Sequence, residues 1–577
     1  MSLTGIEVAQ IGVYFIVLLV CVKPLGWYMA QIYQGKPCAL NQIGAPVERF
    51  IYRLACIDKD QKMDWKQYAG AMLCFNALGL LTAYMIVRLQ FYLPFNLHHF
   101  ASLKPALAFN SAISFTTNTD WQPYVAETTM SYLTQTLAWT VQNFLSAATG
   151  MAVLIALIRG IQGQLGTNLG NFWVDMIRSI LYILLPLSLL FSMVLVSQGV
   201  IQNFKADHPV YSIESEAPLS IPMGPVASQV AIKQLGTNGG GFFCANSAHP
   251  FENPTPLSNF LEMLAILLIP ASLCYTFGLM VKDKRQGWAI LSVMVLTTLF
   301  CSFITVCFEQ QGNFAVDKRY GTEMVPRGGN MEGKETRFGV VNSALFSVIT
   351  TASSNGALNA AQDAYTPLGG LIPLWLIQTG EVIFGGVGSG LYGMLIYLMI
   401  TIFIAGLMVG RTPEYLGKKI EAFEMKMASV FLLIMPLVVL LCTAITVIMQ
   451  VEHVQIISSQ RGSHQFTQIL YAFSSMCSNN GSSLAILNMN TDFYNILGGF
   501  AMLIGRYVPA ICILAIAGSL ANKKIIPISA GTFETHTPLF MSFLFFIIIT
   551  ISILSFFPAV ALGPFVEQLE LWRKYHV

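Results

Sequence analysis

The sequence predicts an all-α polytopic membrane protein with ten transmembrane helices. Eight of them form four pore-loop repeats (span, re-entrant helix, span) in a pseudo-fourfold arrangement. Three observations carry that reading. Of the 577 residues, 55% are hydrophobic and only 10% charged, with a mean hydropathy of +0.62, whereas soluble domains carry about 25% charge. Ten apolar runs reach the ~20 residues that a helix needs to cross a bilayer core. Four shorter apolar runs lie between them at near-equal spacing, each followed at once by a small-polar motif.

Taken in order, the spans fall at 6–30, 66–90, 132–158, 174–199, 258–281, 288–309, 371–409, 427–450, 495–519 and 539–563. The opening apolar run of the first leads into Lys23-Pro24-Leu25-Gly26-Trp27 rather than a small-residue cleavage site, which marks a retained span and not a signal peptide. The seventh is too long for one crossing and is interrupted by Gly385-Gly386-Val387-Gly388-Ser389-Gly390. A broken helix is expected there, tolerated only where the freed backbone faces protein or a wet cavity. Polar stretches such as 202–225 and 310–340 read as loops. The short segments after spans 1, 3, 5, 7 and 9 hold 16 Lys/Arg, counting Lys66 at the edge of span 2, and the long ones after spans 2, 4, 6 and 8 hold 9. The dense set belongs in the cytoplasm, which puts both termini on the extracytoplasmic side.

Each long segment carries a run too short to span: 105–116, 226–235, 339–352 and 464–477. The motifs that follow are Thr117-Asn118-Thr119, Thr237-Asn238-Gly239, Ser354-Asn355-Gly356 and Asn479-Asn480-Gly481. Aligning Asn118, Asn238, Asn355 and Asn480 gives spacings of 120, 117 and 125 residues, an internal repeat. The chain then divides into 1–65 (first span and cytoplasmic loop), repeats at 66–160, 172–281, 286–410 and 427–520, and a tenth span with tail at 521–577. A cation leaving water needs a shell of oxygens, which rings of backbone carbonyls supply without fixed charge. Small residues let the backbone approach the axis, and a short helix ending there aims the negative end of its dipole at the ion. The candidate filter residues are Thr117, Asn118, Thr119 and Asp120; Thr237, Asn238, Gly239 and Gly240; Ser354, Asn355 and Gly356; and Ser478, Asn479, Asn480 and Gly481.

Ionisable groups at membrane depth are costly and suggest function. Glu381 precedes the glycine cluster; it either faces an internal ion path, pairs with a cation such as Arg411, or sits solvated at a helix end. Arg411 reads equally as a gate below the filter or as a positive-inside anchor. Arg506, inside span 9, should face the bundle and pair with a carboxylate or carbonyls. Gln122, Glu381, Gly385, Gly386, Gly388, Arg411 and Arg506 are the candidate gating or ion-path residues. Asp175 and Arg178, one turn apart, read as a local helix pair. The adjacent His98 and His99 read as loop residues.

Several classes are excluded. The net charge of +2 offers no nucleic-acid footprint. The eleven cysteines are scattered without CxxC and read as small buried hydrophobes. Gly388-Ser389-Gly390-Leu391-Tyr392-Gly393 formally matches a dinucleotide fingerprint but lacks a strand before it. Walker A, Asp-Lys-Thr-Gly, HExxH and GxSG motifs are missing, so no ATP binding by this chain is expected.

The chain resembles the A subunit of the ATP-driven Kdp potassium-uptake system of bacteria and archaea. The resemblance rests on Phe115–Gln122, Leu235–Phe243, Asn246–Thr255, Asn330–Glu335 with Arg337–Gly339, Gly380–Gly393 and Gly410–Tyr415, and it covers nearly the whole chain. It implies membership of the superfamily of potassium transporters, with K+ as transported ion, in the bacterial inner (cytoplasmic) membrane. It also implies delivery of the ion through an intramembrane tunnel to a P-type ATPase catalytic subunit. A single-span accessory subunit and often a very small fourth membrane subunit complete such complexes. The alternative is a stand-alone potassium channel or cation symporter of the same superfamily. Asp120 stands where the family usually has Asn, and is expected to add negative charge at the mouth. Asn355 occupies a position that varies among relatives.

Overall fold

The computed structural model describes residues 4–37, 40–163, 168–211, 218–313, 329–453, 462–484, 489–527 and 533–576. Ten helices among them are long and apolar enough to cross a membrane, which makes this a multi-pass membrane protein. Spans 1 to 6 are Gly5–Tyr33, Trp65–Tyr92, Thr134–Gln162, Phe172–Ser197, Pro256–Met280 and Lys284–Gln310. Span 7 is Ser389–Val409, span 8 lies in Ala422–His453, span 9 is Asp492–Ala521 and span 10 starts at Pro538. In the most apolar stretch of spans 3 and 5, 83% of residues are buried, against 28% in spans 1 and 10. Spans 3 and 5 therefore stand at the centre, and spans 1 and 10 turn most of their apolar surface outward.

The four short apolar runs are helices, bounded as the sequence predicts to within a residue: Pro105–Thr116, Val226–Leu235, Gly339–Ala352 and Ser463–Cys477. At 10 to 15 residues they are ~15–22 Å long, enough to enter a bilayer and not to cross it. Together with spans 2 to 9 they make four pore-loop units around one axis.

The long seventh run is broken as expected. A half-helix, Pro367–Gln378, ends before an irregular segment, and the helix resumes at Ser389. Five residues of that segment have left-handed φ: Gly380, Glu381, Phe384, Gly385 and Gly388. At Gly388 there is no room for a Cβ. A Cβ on Gly388 would collide with the Gly150 carbonyl, and one on Gly150 with the Val387 carbonyl. The break thus lies backbone to backbone on span 3.

One loop reading changes. The stretch 202–225 holds an antiparallel hairpin, His208–Tyr211 against Pro218–Ile221, paired His208 to Ile221. Residues 314–328 of the second polar stretch lie outside the described residues. Asp175 and Arg178 are not a local pair. Asp175 accepts both guanidinium nitrogens of Arg159 at 2.6 and 2.8 Å, and Arg178 donates to Glu48 at 3.0 Å; partners from other elements displace the one-turn neighbour. His98 is a loop residue, 3.2 Å from Asp207.

Beyond a kink at Gly563, span 10 continues into a terminal helix, Val566–His576. Its Glu567 meets His464 Nδ1 at 2.8 Å, while Asp363 faces Nε2 at 3.2 Å. Burial alone would lower the His464 pKa, but the two carboxylates outweigh it and raise it to about 10. The first turn of pore helix 4 is thereby pinned to the terminal helix.

Candidate ion-filter site

All four pore helices stop in the same way. The residues just past the helix ends are Thr117, Gly236, Ser353 and Ser478. Next come Asn118, Thr237, Ser354 and Asn479, with φ of +69, +48, +52 and +54°. The third position holds Thr119, Asn238, Asn355 and Asn480, whose N–H groups donate five residues back to the carbonyls of Ser114, Lys233, Thr350 and Ser475 at 2.9–3.0 Å. This is a left-handed helix stop, and it sets the register. Thr119, not Asn118, corresponds to the three asparagines at 238, 355 and 480, and the spacings become 119, 117 and 125 residues.

The fourth position is Asp120, Gly239, Gly356 and Gly481, where the chains converge. A Cβ on Gly239 would lie 2.7 Å from the Thr119 carbonyl, 2.9 Å from Gly356 Cα and 3.0 Å from the Asn480 carbonyl. A Cβ on Gly356 would lie 2.6 Å from the Asn480 carbonyl, and one on Gly481 would collide with the Thr119 carbonyl. Carbonyl oxygens from repeats 1 and 4 thus point at a ring that has no room for a side chain.

Left-handed φ is uncommon outside glycine, and for β-branched Thr237 it is strained. Thr237 Oγ1 donates to the Gly236 carbonyl at 2.8 Å and accepts the Val387 N–H at 2.8 Å. Val387 belongs to the broken segment of span 7. The Gly385 N–H of the same segment donates to the carbonyl of Ala352, the last residue of pore helix 3, at 2.9 Å. The glycine-rich break is therefore a support under the ring.

The asparagine side chains stitch neighbouring repeats together. Asn118 Nδ2 donates to the Thr237 carbonyl at 2.8 Å, and Asn238 Nδ2 to Asn118 Oδ1 at 2.8 Å. Asn355 Nδ2 donates to the Lys233 carbonyl at 3.3 Å, and Asn480 Nδ2 to the Asn355 carbonyl at 3.2 Å. Asn479 Nδ2 closes the circle on Thr119 Oγ1 at 2.8 Å. On the outer side, Gln122 Oε1 accepts the Gly241 N–H at 3.0 Å and joins strands 1 and 2 above Gly240.

Asp120 is not at the mouth. Its φ is left-handed at +52°, and it is fully buried. With the Asn143 amide oriented to donate, that nitrogen of span 3 lies 2.8 Å from Asp120 Oδ2.

Beneath the ring, Arg506 Nη1 lies 3.8 Å from Glu381 and Nη2 3.4 Å from the Ser146 carbonyl. Arg506 is buried and pairs as the sequence predicts. A cavity of about 50 Å³, lined by residues including Glu381, Ser389, Asn479 and Arg506, lies between the break and span 9; it has room for a few waters. Arg411 is neither the partner of Glu381 nor under the filter. The 21-residue helix from Ser389 to Val409 carries it ~30 Å away from the break, where it is exposed with its guanidinium 5.7 Å from the Phe533 ring.

Sequence reasoning passed over Lys233. It is fully buried in pore helix 2 and pairs with buried Glu252 at 2.6 Å, and Glu252 in turn accepts the Phe243 N–H at 2.9 Å. The pair fixes the loop that leaves the second strand. A cation in the middle of an apolar, non-spanning run was the available signal. Ser146, which donates to Asn118 Oδ1 at 2.8 Å, gave none.

A pseudo-fourfold ring of helix ends inside ten candidate spans defines a membrane protein of pore-loop architecture. The comparisons are more specific. Residues 12–569 match the family model described as "Potassium-transporting ATPase A subunit", and the chain belongs to that family. Relatives called "Potassium-transporting ATPase potassium-binding subunit" include those of Herpetosiphon aurantiacus, 56% identical over 98% of this chain and 99% of the relative, and Sorangium cellulosum, 54% identical over 99% and 100%. The crystal structure of the potassium transporter TrkH from Vibrio parahaemolyticus aligns with a TM-score of 0.49 at 14% identity, over 88% of this chain and 97% of that one.

Proposed function

We propose that this chain is the potassium-binding and translocating subunit of an ATP-driven high-affinity uptake complex of the bacterial inner membrane. Potassium enters from the extracytoplasmic side, exchanges water for backbone carbonyls of the ring formed by Thr117–Asp120, Thr237–Gly240, Ser354–Gly356 and Ser478–Gly481, and passes to the cavity at Glu381 and Arg506. The broken span 7 blocks a straight route to the cytoplasm. The ion then leaves sideways to a P-type ATPase partner, in a complex that also holds a single-span subunit and a very small fourth one. On this reading each pore-loop unit, 66–160, 172–281, 286–410 and 427–520, contributes one quadrant, and both termini lie outside.

The observation that carries the proposal is the ring in which Gly239 and Gly356 have no space for a Cβ and carbonyls from two repeats face them. Rings of carbonyl dipoles select cations by replacing hydration. The names borne by the relatives supply the ion and the ATPase.

The test is potassium-dependent ATP hydrolysis by the complex purified through a tag on this chain. Stimulation by potassium but not sodium, lost in Gly239→Asp, supports the proposal. Purification of the chain alone, conducting potassium in liposomes without ATP, would replace it with a channel.

A further inference from the structure

The helix Asn41–Leu54, between spans 1 and 2, is amphipathic in the reverse sense to a helix on a water-soluble surface. Its protein-facing side is polar or small: Gly44, Glu48 and Tyr52, at i, i+4 and i+8, are buried. Tyr182 packs on Gly44. Glu48 accepts from Tyr52 at 2.6 Å, Tyr182 at 2.7 Å and Arg178 at 3.0 Å. Burial would raise the Glu48 pKa, but these three donors hold it below the usual carboxylate range. The opposite side is apolar and uncovered: Val47, Phe50 and Leu54, at i, i+3 and i+7, are 41%, 64% and 75% exposed.

The helix sits on the membrane face remote from the filter, beside Arg178 at the start of span 4. It links spans 1 and 2, whose most apolar stretches are only 28% and 22% buried. Its exposed apolar stripe therefore continues their outward apolar surface. Arg49 and Arg53 flank that stripe, both exposed, and neither has an acidic partner among the described residues. Lys36, Lys59 and Lys62 are exposed on the adjoining segments. Five cations on a segment with an apolar face match an anionic lipid surface.

We infer that Asn41–Leu54 lies in the plane of the membrane interface, with Val47, Phe50 and Leu54 among acyl chains and Arg49 and Arg53 on the phosphates of anionic phospholipids. The Glu48–Arg178 pair ties that helix to span 4, so its seating is felt at the base of the second repeat.

The test is hydrogen exchange of residues 41–54 in the full-length chain, with its co-purifying subunits, in nanodiscs of phosphatidylcholine or of an equal mixture with phosphatidylglycerol. Exchange should slow on the order of tenfold in the mixture. The double variant Arg49→Gln/Arg53→Gln should lose that lipid dependence, and Phe50→Asp should exchange faster in both bilayers. Exchange that is the same in both lipids, or a lipid dependence that survives the double variant, would overturn the inference. So would protection that follows a co-purifying subunit regardless of lipid, which would make the helix face a protein-docking surface.

Discussion

The first ring segment and the other three share one helix stop and not one set of side chains. Strands 2, 3 and 4 put Asn then Gly at the third and fourth positions past the helix, and strand 1 puts Thr119 then Asp120. All four make the same five-back hydrogen bond after a residue with left-handed φ. The symmetry of the ring therefore lives in the helix stops. The Asp120 carboxylate has the Asn143 amide within 2.8 Å, whereas a side chain at Gly239 would stand in the ring.

That contrast can be broken most severely at Gly239. Gly239→Ala puts a methyl group 2.7 Å from the Thr119 carbonyl. Potassium-stimulated ATP hydrolysis by the complex should fall on the order of a hundredfold in apparent affinity, about the effect of misplacing one carbonyl ligand set by 2–3 kcal/mol. Wild-type potassium dependence in that variant would show that the ring lies elsewhere.

Asn480→Ala comes next. It removes amide contacts to the Thr350 and Asn355 carbonyls at 3.3 and 3.2 Å and the cap on the Ser482 N–H at 3.1 Å. The loss should be about 1–3 kcal/mol of stability, read from thermal unfolding, together with weaker rejection of sodium.

Pore helix 4 also differs from pore helix 1 at its outer end, where His464 bridges Asp363 and Glu567. The folded pKa of about 10 stands above an unfolded value near 6.5. The bridge's stability is therefore fully present below about pH 6.5 and declines as pH rises through about 10. His464→Gln should flatten the thermal-stability profile of the complex between those values; an unchanged slope would remove the imidazolium from the account.

The smallest effect is expected at Asp120. Asp120→Asn keeps the shape and leaves Asn143 a carbonyl oxygen to donate to, so potassium dependence should change by less than threefold, within the ~0.5 kcal/mol of a neutral substitution. A large change would mean that the carboxylate is felt in the ring.

The sequence makes some of this legible for physical reasons. Short apolar runs give the pore helices almost to the residue, because a helix too short to cross has to end inside the protein. The glycine cluster marks the break in span 7. The register of strand 1 was not legible: Thr-Asn-Thr-Asp offers asparagine at one position only, and the backbone hydrogen bond that decides the register leaves no trace in residue type. Arg411 and Arg506 show the same limit. Both are arginines near apolar runs, and only the helix length that separates Arg411 from the break tells anchor from partner.

The closed circuit of asparagine amides works as a hoop does around a barrel. No quadrant can widen alone, since each is tied on both sides to its neighbours. Any change of bore is shared, and a lesson follows for variants far from the axis: loosening one tie should relax the whole circumference, so substitutions in different quadrants should resemble one another more than their separation in the chain suggests.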